Sequence, residues 1–436
     1  MDTNNIKYLE EKFNLLQSSN KNDVLNNIRN EGFKTFNKIG IPTLRNEEWR
    51  FTSVGNLFNK EYDLQEVNLK ITSSDIDAIR LPGFKIANEL VFVNGKYVPE
   101  FSTIRSAKNE CIIMPLEDAL KSEYKDLVNE HLAKSSLVIK DGIHALNTSF
   151  IQDGIFIHVN KKQVLQNPLY IYHLSDARNN HTLAQPRSLI YVEESAKLQL
   201  IESYATVGSM DSFTNEVMEV VVNTNAILEY YKIQNDSINA SQVSTTHIRQ
   251  IGKSFVHGVT VSLNGGLIRN NMNLMMEVQG NEAHLYGLYL LNGNTHVDNH
   301  TLVDNTKPNC FSNEFYKGIL DDSSSAVFSG KIFVRPDAQK TNAYQSNKNI
   351  LLSDNATINT KPQLEIFADD VKCSHGCTIG QLDEDALFYL RTRGISKEHA
   401  RSMLLKAFAE DVIEQIKYEP LRNYIEQLIT KRLSIN

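Results

Sequence analysis

The chain has 436 residues, enough for two or three domains on length alone, with 41% hydrophobic and 22% charged residues, the balance of a soluble globular protein with ample core material. Its 52 acidic against 45 basic side chains leave a net charge of −7 without any basic block, which argues against nucleic acid as a partner. No apolar run approaches the roughly 18 residues of a membrane span, Met1 to Asn20 lacks the apolar core of a secretory signal, and four cysteines are too few for a disulfide framework, so the chain reads as cytoplasmic.

Residues 1 to about 45 read as helices. Tyr8, Leu9, Phe13 and Leu16 recur at helical spacing, and Val24, Ile28, Phe33 and Phe36 continue the pattern until Gly40-Ile41-Pro42 breaks it. The segment Arg45 to Thr52 carries the only tryptophan, Trp49, and is expected to cap or buttress this region. Residues 55 to about 130 mix helical and strand-like pieces. Among them Glu89 to Lys96 reads as a strand running into an Asn94-Gly95 hairpin turn.

From about 135 to 380 the texture becomes β-rich, with short apolar runs such as Ser188–Val192, Val217–Val222 and Ala326–Val334 set between Asn, Gly, Asp and Ser clusters. A loose theme repeats, a polar turn followed by alanine and apolar residues, at Ala196, Ala226, Ala283, Ala326 and Ala356. Recurrence at roughly 30 residues points to a mainly β fold built on a parallel β-helix, with a large sandwich as the alternative. The division that follows is 1–130 helical and mixed, 131–380 β-helix, and 381–436 helical.

In the last region Leu387, Phe388 and Leu390 lead to Gly394, which suits a left-handed helix C-terminus. Ser396 can cap the next helix, with Glu398 in its first turn. Ala400, Met403, Leu404, Ala407, Phe408 and Val412 read as one apolar stripe, stopped by Pro420; Leu421, Tyr424, Ile425 and Leu428 give a second. The whole reads as an appended docking element.

The richest cluster of chemistry is Asp369-Asp370-Val371-Lys372-Cys373-Ser374-His375-Gly376-Cys377. In an extended segment Cys373, His375 and Cys377 share one face, where thiolates and imidazole could hold zinc, iron or sulfur. A stable zinc site lacks a fourth ligand unless Cys310 folds in, and the plain alternative is that the cysteines are small core residues. His296 and His300 lie in a segment that reads as turn, so their spacing is taken as accidental. No GxxxxGK[ST] phosphate loop occurs.

Ile366 to Gly376, continuing through Leu387-Phe388-Tyr389-Leu390-Arg391-Thr392-Arg393-Gly394-Ile395, closely resembles the C-terminal signature of the SufB/SufD family of iron–sulfur cluster assembly subunits, in its SufD form. Pro42-Thr43 with Asn46 to Thr52 looks like the N-terminal motif of the same family. The resemblance implies a right-handed parallel β-helix flanked by N- and C-terminal helices, acting as a non-catalytic scaffold. It implies pairing with SufB through the β-helix and docking of the ATPase SufC on the tail through Leu387, Phe388, Tyr389, Arg391, Arg393, Gly394 and Ile395. The family's interfacial histidine maps onto His375, with Cys373 a weaker carry-over and Cys377 an auxiliary ligand outside the family pattern. SufB carries a sulfur-bearing cysteine where this chain has Leu390.

Further implications are a transient iron–sulfur cluster or iron shared with the partner, reduced flavin as a component of the complex, and sulfur from a cysteine desulfurase system. No tightly bound cofactor is expected in the isolated chain, whose homodimerisation is left open. Two other classes remain alternatives: a zinc-binding β-solenoid protein and a β-helix carbohydrate-active enzyme.

Overall fold

A computed structural model describes residues 7–19, 23–64, 71–152 and 154–433; the extreme ends of the outer regions assigned above, 1–6 and 434–436, lie outside the described residues. The chain starts with two helices, Lys7–Ser19 and Asp23–Ile39. Their apolar faces meet as the spacing predicts: Tyr8, Leu9, Phe13, Leu16, Phe33 and Phe36 are buried, and Phe13 stacks on Phe33 with ring centroids 4.0 Å apart. Gly40 ends the second helix at φ 71°, a conformation glycine adopts without a Cβ penalty. At the predicted hairpin, strand Asn88–Val93 turns through Asn94 and Gly95, both at positive φ, into Lys96–Tyr97.

Two ten-stranded sheets then form the body. Apart from the hairpin and the pair Cys111–Pro115 with Ile155–Val159, their strands run parallel. Ile227 pairs with Phe255, Phe255 with Glu282, Glu282 with Phe311, Phe311 with Asn342, and Asn342 with Lys372. Each coil thus adds roughly 30 residues, the interval heard in the sequence. Parallel strands with tight connections require a solenoid rather than a sandwich of hairpins. The recurring alanines Ala196, Ala226, Ala283, Ala326 and Ala356 are all buried, where a larger side chain would push successive coils apart. The first sheet begins as early as Asn88–Val93, which pairs in parallel with Leu169–Ala177.

Between the sheets Leu198, Leu228, Val256, Ile268, Ala283, Val297 and Phe328 belong to one apolar core. By the same inward alternation the lumen then turns polar, with Glu202, Lys232, Gln234, Asn270, Glu314 and Gln345 all buried. These groups partner one another: Lys232 Nζ donates to Ser244 Oγ at 2.7 Å and lies 3.5 Å from the Glu202 carboxylate, and Gln234 Nε2 donates to Asn270 Oδ1 at 3.0 Å.

The tail forms helices Glu384–Thr392, Lys397–Ile413 and Glu419–Leu433. The last two are not free appendages. Leu405, Ala409, Val412, Ile413, Leu421, Ile425 and Ile429 share a core with Ile201, Tyr231, Val259, Val261 and Leu288 on the outer face of the first sheet. Lys317 Nζ donates to Asp411 Oδ2 and to the Phe408 carbonyl, and the His257 ring meets the Gln415 carbonyl at 2.7 Å. The buried stripe matches the predicted one in part: Ala400 and Val412 are buried and Leu404 and Phe408 half-buried, but Met403 and Ala407 are exposed and Leu405, Ala409 and Ile413 are buried in their stead, so the docked face is rotated from the predicted one.

Candidate functional site

Lys372–Gly380 is the last strand of the first sheet, and Thr357–Ile366 the last of the second. The former pairs in parallel with Asn342–Leu351; among the described residues its other edge is unpaired. In strand Asn342–Leu351 the inward positions are Ala343, Gln345, Asn347 and Asn349, all buried. The register sets Cys373 above Ala343, His375 above Gln345 and Cys377 above Asn347. The three therefore share the inward face, as the period-two reading predicts. Among the described residues no coil covers them, so this face looks out of the open end of the solenoid.

The three differ in exposure. His375 and Cys377 are exposed, whereas Cys373 is half-buried against Ile332, Val334, Ala338, Ala343 and Ala368. Burial raises the Cys373 thiol, which keeps it protonated and lowers its reactivity. Same-face neighbours on one strand stand about 6.6 Å apart, so the trio is a line rather than a cage. Among the described residues no three His, Cys, Asp or Glu side chains converge in a metal-holding group. Cys310 does not fold in: it lies two strands below the terminal one, fully buried, its thiol 3.3 Å from the Lys307 carbonyl and raised by burial. Around the same opening Ile366, Phe367 and Ile379 are exposed, Phe367 to 59%.

The tail signature continues directly from this strand, since only Gln381, Leu382 and Asp383 separate Gly380 from helix Glu384–Thr392. Asp383 caps that helix by accepting from the Ala386 amide at 2.9 Å. Leu387 points inward and is 4% exposed, so it anchors the helix. Phe388 and Tyr389 are 68% and 58% exposed, and Arg391 and Arg393 are exposed as well. The Arg393 guanidinium lies over the Tyr389 ring at 5.1 Å and donates to its hydroxyl at 3.1 Å. Gly394 adopts φ 85°, as its place in the sequence predicts, with the half-buried Ile395 next and Ser396 capping the following helix.

The N-terminal motif is a second constellation, and sequence reasoning saw only part of it. Its residues lie against the outer face of the second sheet. Trp49 is buried under the Arg269 guanidinium, 3.9 Å from the ring centroid. Arg269 Nη1 meets Asp298 Oδ2 at 2.6 Å, Thr52 Oγ1 donates to the same oxygen at 2.5 Å, and the His300 ring lies 3.0 Å from the other. His296 and His300 are therefore not an accidental pair in a turn. They lie on strand His296–Asn305, whose alternation aims His296, Asp298 and His300 to one side. The alternating His-x-Asp-x-His pattern was the available signal, masked by the Asn-Gly and Asp-Asn dipeptides around it.

Comparison with known proteins identifies the family. Residues 173–408 match the family model described as "SUF system FeS cluster assembly, SufBD core domain", and residues 2–171 match the "SufBD protein N-terminal region". An iron–sulfur cluster assembly SufBD family protein of Synechocystis is 30% identical over 95% of this chain and 92% of its own length. The iron–sulfur cluster assembly protein SufD of Escherichia coli is 28% identical over 91% and 90%, and that of Bacillus subtilis 26% over 71% of each.

Proposed function

This chain belongs to the SufBD family of iron–sulfur cluster assembly proteins, and from that premise we propose that it is a non-catalytic scaffold on which a cluster forms at a shared interface with SufB. The observation that carries the reading is the open end of the solenoid. There an unpaired strand edge, exposed apolar side chains and an exposed inward-facing imidazole occur together. An edge of this length is a template for strand addition by a second β-helix. Iron and sulfide are the cargo. Imidazole nitrogen suits iron, and His375 is the exposed imidazole at this end; Cys377 is the more accessible of the two neighbouring thiols.

The tail supplies the mechanical link. Phe388, Tyr389, Arg391 and Arg393 form an exposed aromatic and basic surface for the ATPase SufC, while Leu387, Gly394 and Ile395 set its shape. Helices Lys397–Ile413 and Glu419–Leu433 are held on the first sheet. A pull on helix Glu384–Thr392 is therefore delivered to the adjoining strand Lys372–Gly380, which holds His375. ATP hydrolysis in the partner would thereby open and close the shared interface.

Hydrogen exchange tests the pairing. On addition of SufB the amides of Lys372–Gly380 should gain protection while those of the outer sheet faces do not change. Unchanged exchange in Lys372–Gly380, in a mixture that co-elutes as a complex, would refute the edge-to-edge arrangement.

A further inference from the structure

The lumen beneath His375 is built in a way that the proposed role of that residue does not by itself require. One interior column of the solenoid reads Leu285, Glu314, Gln345, His375 in consecutive coils, each paired in register with the next. Glu314 and Gln345 are buried, and Gln345 Nε2 donates to Glu314 Oε2 at 2.5 Å. Across the lumen stands Gly330. A Cβ on that residue would come within 2.3 Å of Gln345 Nε2, so the missing side chain is what leaves room for the amide. Gln345 is thus fixed from below and from the side.

Its other amide atom is left over. Gln345 Oε1 is buried and has no hydrogen-bond partner. A buried orphan acceptor carries a desolvation penalty of about 1–3 kcal/mol, and such groups need a reason. The neighbouring column shows the contrast. Under Cys377, Asn347 Nδ2 donates to Tyr289 Oη at 2.9 Å, Asn349 Nδ2 donates to Asn347 Oδ1 at 2.7 Å, and Tyr289 Oη donates to Asn349 Oδ1 at 2.5 Å. That network is closed. The column under His375 ends in an acceptor without a partner, as Glu314 Oε1 one coil lower also lacks one, and it lies one strand spacing of about 4.8 Å below an imidazole that makes no hydrogen bond among the described residues.

We propose that Gln345, locked by Glu314 and by the space at Gly330, is the positioning residue for His375. Its free amide oxygen accepts one ring N–H, which fixes the tautomer and turns the other ring nitrogen, with its lone pair, out of the open end. Imidazoles that bind metal almost always donate their second nitrogen in this manner, and loss of such a partner costs about 10- to 100-fold in affinity or activity. Glu314 acts one step further back: by taking the Nε2 donor it leaves the amide oxygen as the atom of Gln345 still available to a ring N–H. The inference rests on the reading of His375 as the cargo-facing residue, but its first test does not.

That test reads the ring directly, by long-range 15N–1H spectra of the full chain carrying 15N-labelled histidine at pH 8. The His375 signal is identified by its loss in His375→Ala. In the wild type the two His375 nitrogens should have widely separated shifts, one protonated and one bare. In Gln345→Leu they should move toward the average of a tautomer mixture. The exchange variant Glu314→Gln/Gln345→Glu, which keeps an oxygen facing the ring, should restore the separation; it also guards against misfolding of the leucine variant, which thermal unfolding monitors. Identical shifts in wild type and folded Gln345→Leu would overturn the proposal. In the anaerobic complex with SufB and SufC, Gln345→Leu should slow cluster formation by about tenfold or more, with rescue by the exchange variant. If His375→Ala assembles clusters normally, the cargo role of His375 fails, while the tautomer result still decides the role of Gln345.

Discussion

Asp298 illustrates how single residues hold this molecule together. Burial alone would raise its carboxyl, but Arg269, His300 and Thr52 outweigh that and bring it well below the usual carboxylate range. The group is therefore a fixed anion that ties the N-terminal motif to the second sheet. Asp298→Ala should leave the Arg269 charge buried without its carboxylate partner and destabilise the chain by about 3 kcal/mol, measured by denaturant unfolding. Glu314 behaves in the opposite sense. Fully buried, its carboxyl is raised from 4.5 to about 7 by desolvation. The unfolded chain ionises this group first, so stability falls as pH rises from about 4.5 to 7 and stays reduced above, by up to about 3 kcal/mol. Glu314→Gln removes that slope. Its Tm relative to wild type should be higher at pH 8 than at pH 5. An equal difference at both values would show that Glu314 does not titrate in that range.

At the scale of elements, local chemistry was the legible part. The Asn94-Gly95 hairpin, the Ser396 cap and the left-handed Gly394 each follow from one or two residues whose backbone preferences leave little choice. The facing of helix Lys397–Ile413 was legible only in part, at Ala400 and Val412, because it carries apolar residues on two sides and the docked sheet decides which of the others are buried. That outcome divides the tail by task. Leu405→Ala should cost about 2–5 kcal/mol as a core truncation, whereas Phe388→Glu with Tyr389→Glu should leave Tm within a degree or two of wild type. The latter pair should abolish retention of SufC on the immobilised chain and leave SufB retention intact. Normal SufC retention by the double variant would move the docking surface elsewhere. Deleting everything after Gly380 is a poorer probe, since it strips the cover from Val259, Val261 and Leu288.

For the molecule as a whole, coil repetition made the solenoid readable. The buried alanines and the roughly 30-residue interval are properties of one coil stacked on the next, and they recur in the sequence. The line of Cys373, His375 and Cys377 followed from period two alone, whereas its place on the terminal, unpaired strand did not. What composition could not convey is long-range: the seating of Trp49 on Arg269, more than two hundred residues away, and the polarity of the lumen that ends beneath His375. The architecture then concentrates its open hydrogen-bonding edge, its exposed apolar residues and its accessible imidazole at one end, and attaches helix Glu384–Thr392, with its exposed Phe388 and Tyr389, to that same strand. If the proposed function holds, this end is where the cluster is made. Anaerobic reconstitution of the complex with SufB and SufC, containing His375→Ala, tests it most directly by following cluster absorbance alongside co-elution of the three chains. An intact complex without cluster absorbance is expected; an intact complex that assembles clusters at the wild-type rate would place cluster formation elsewhere.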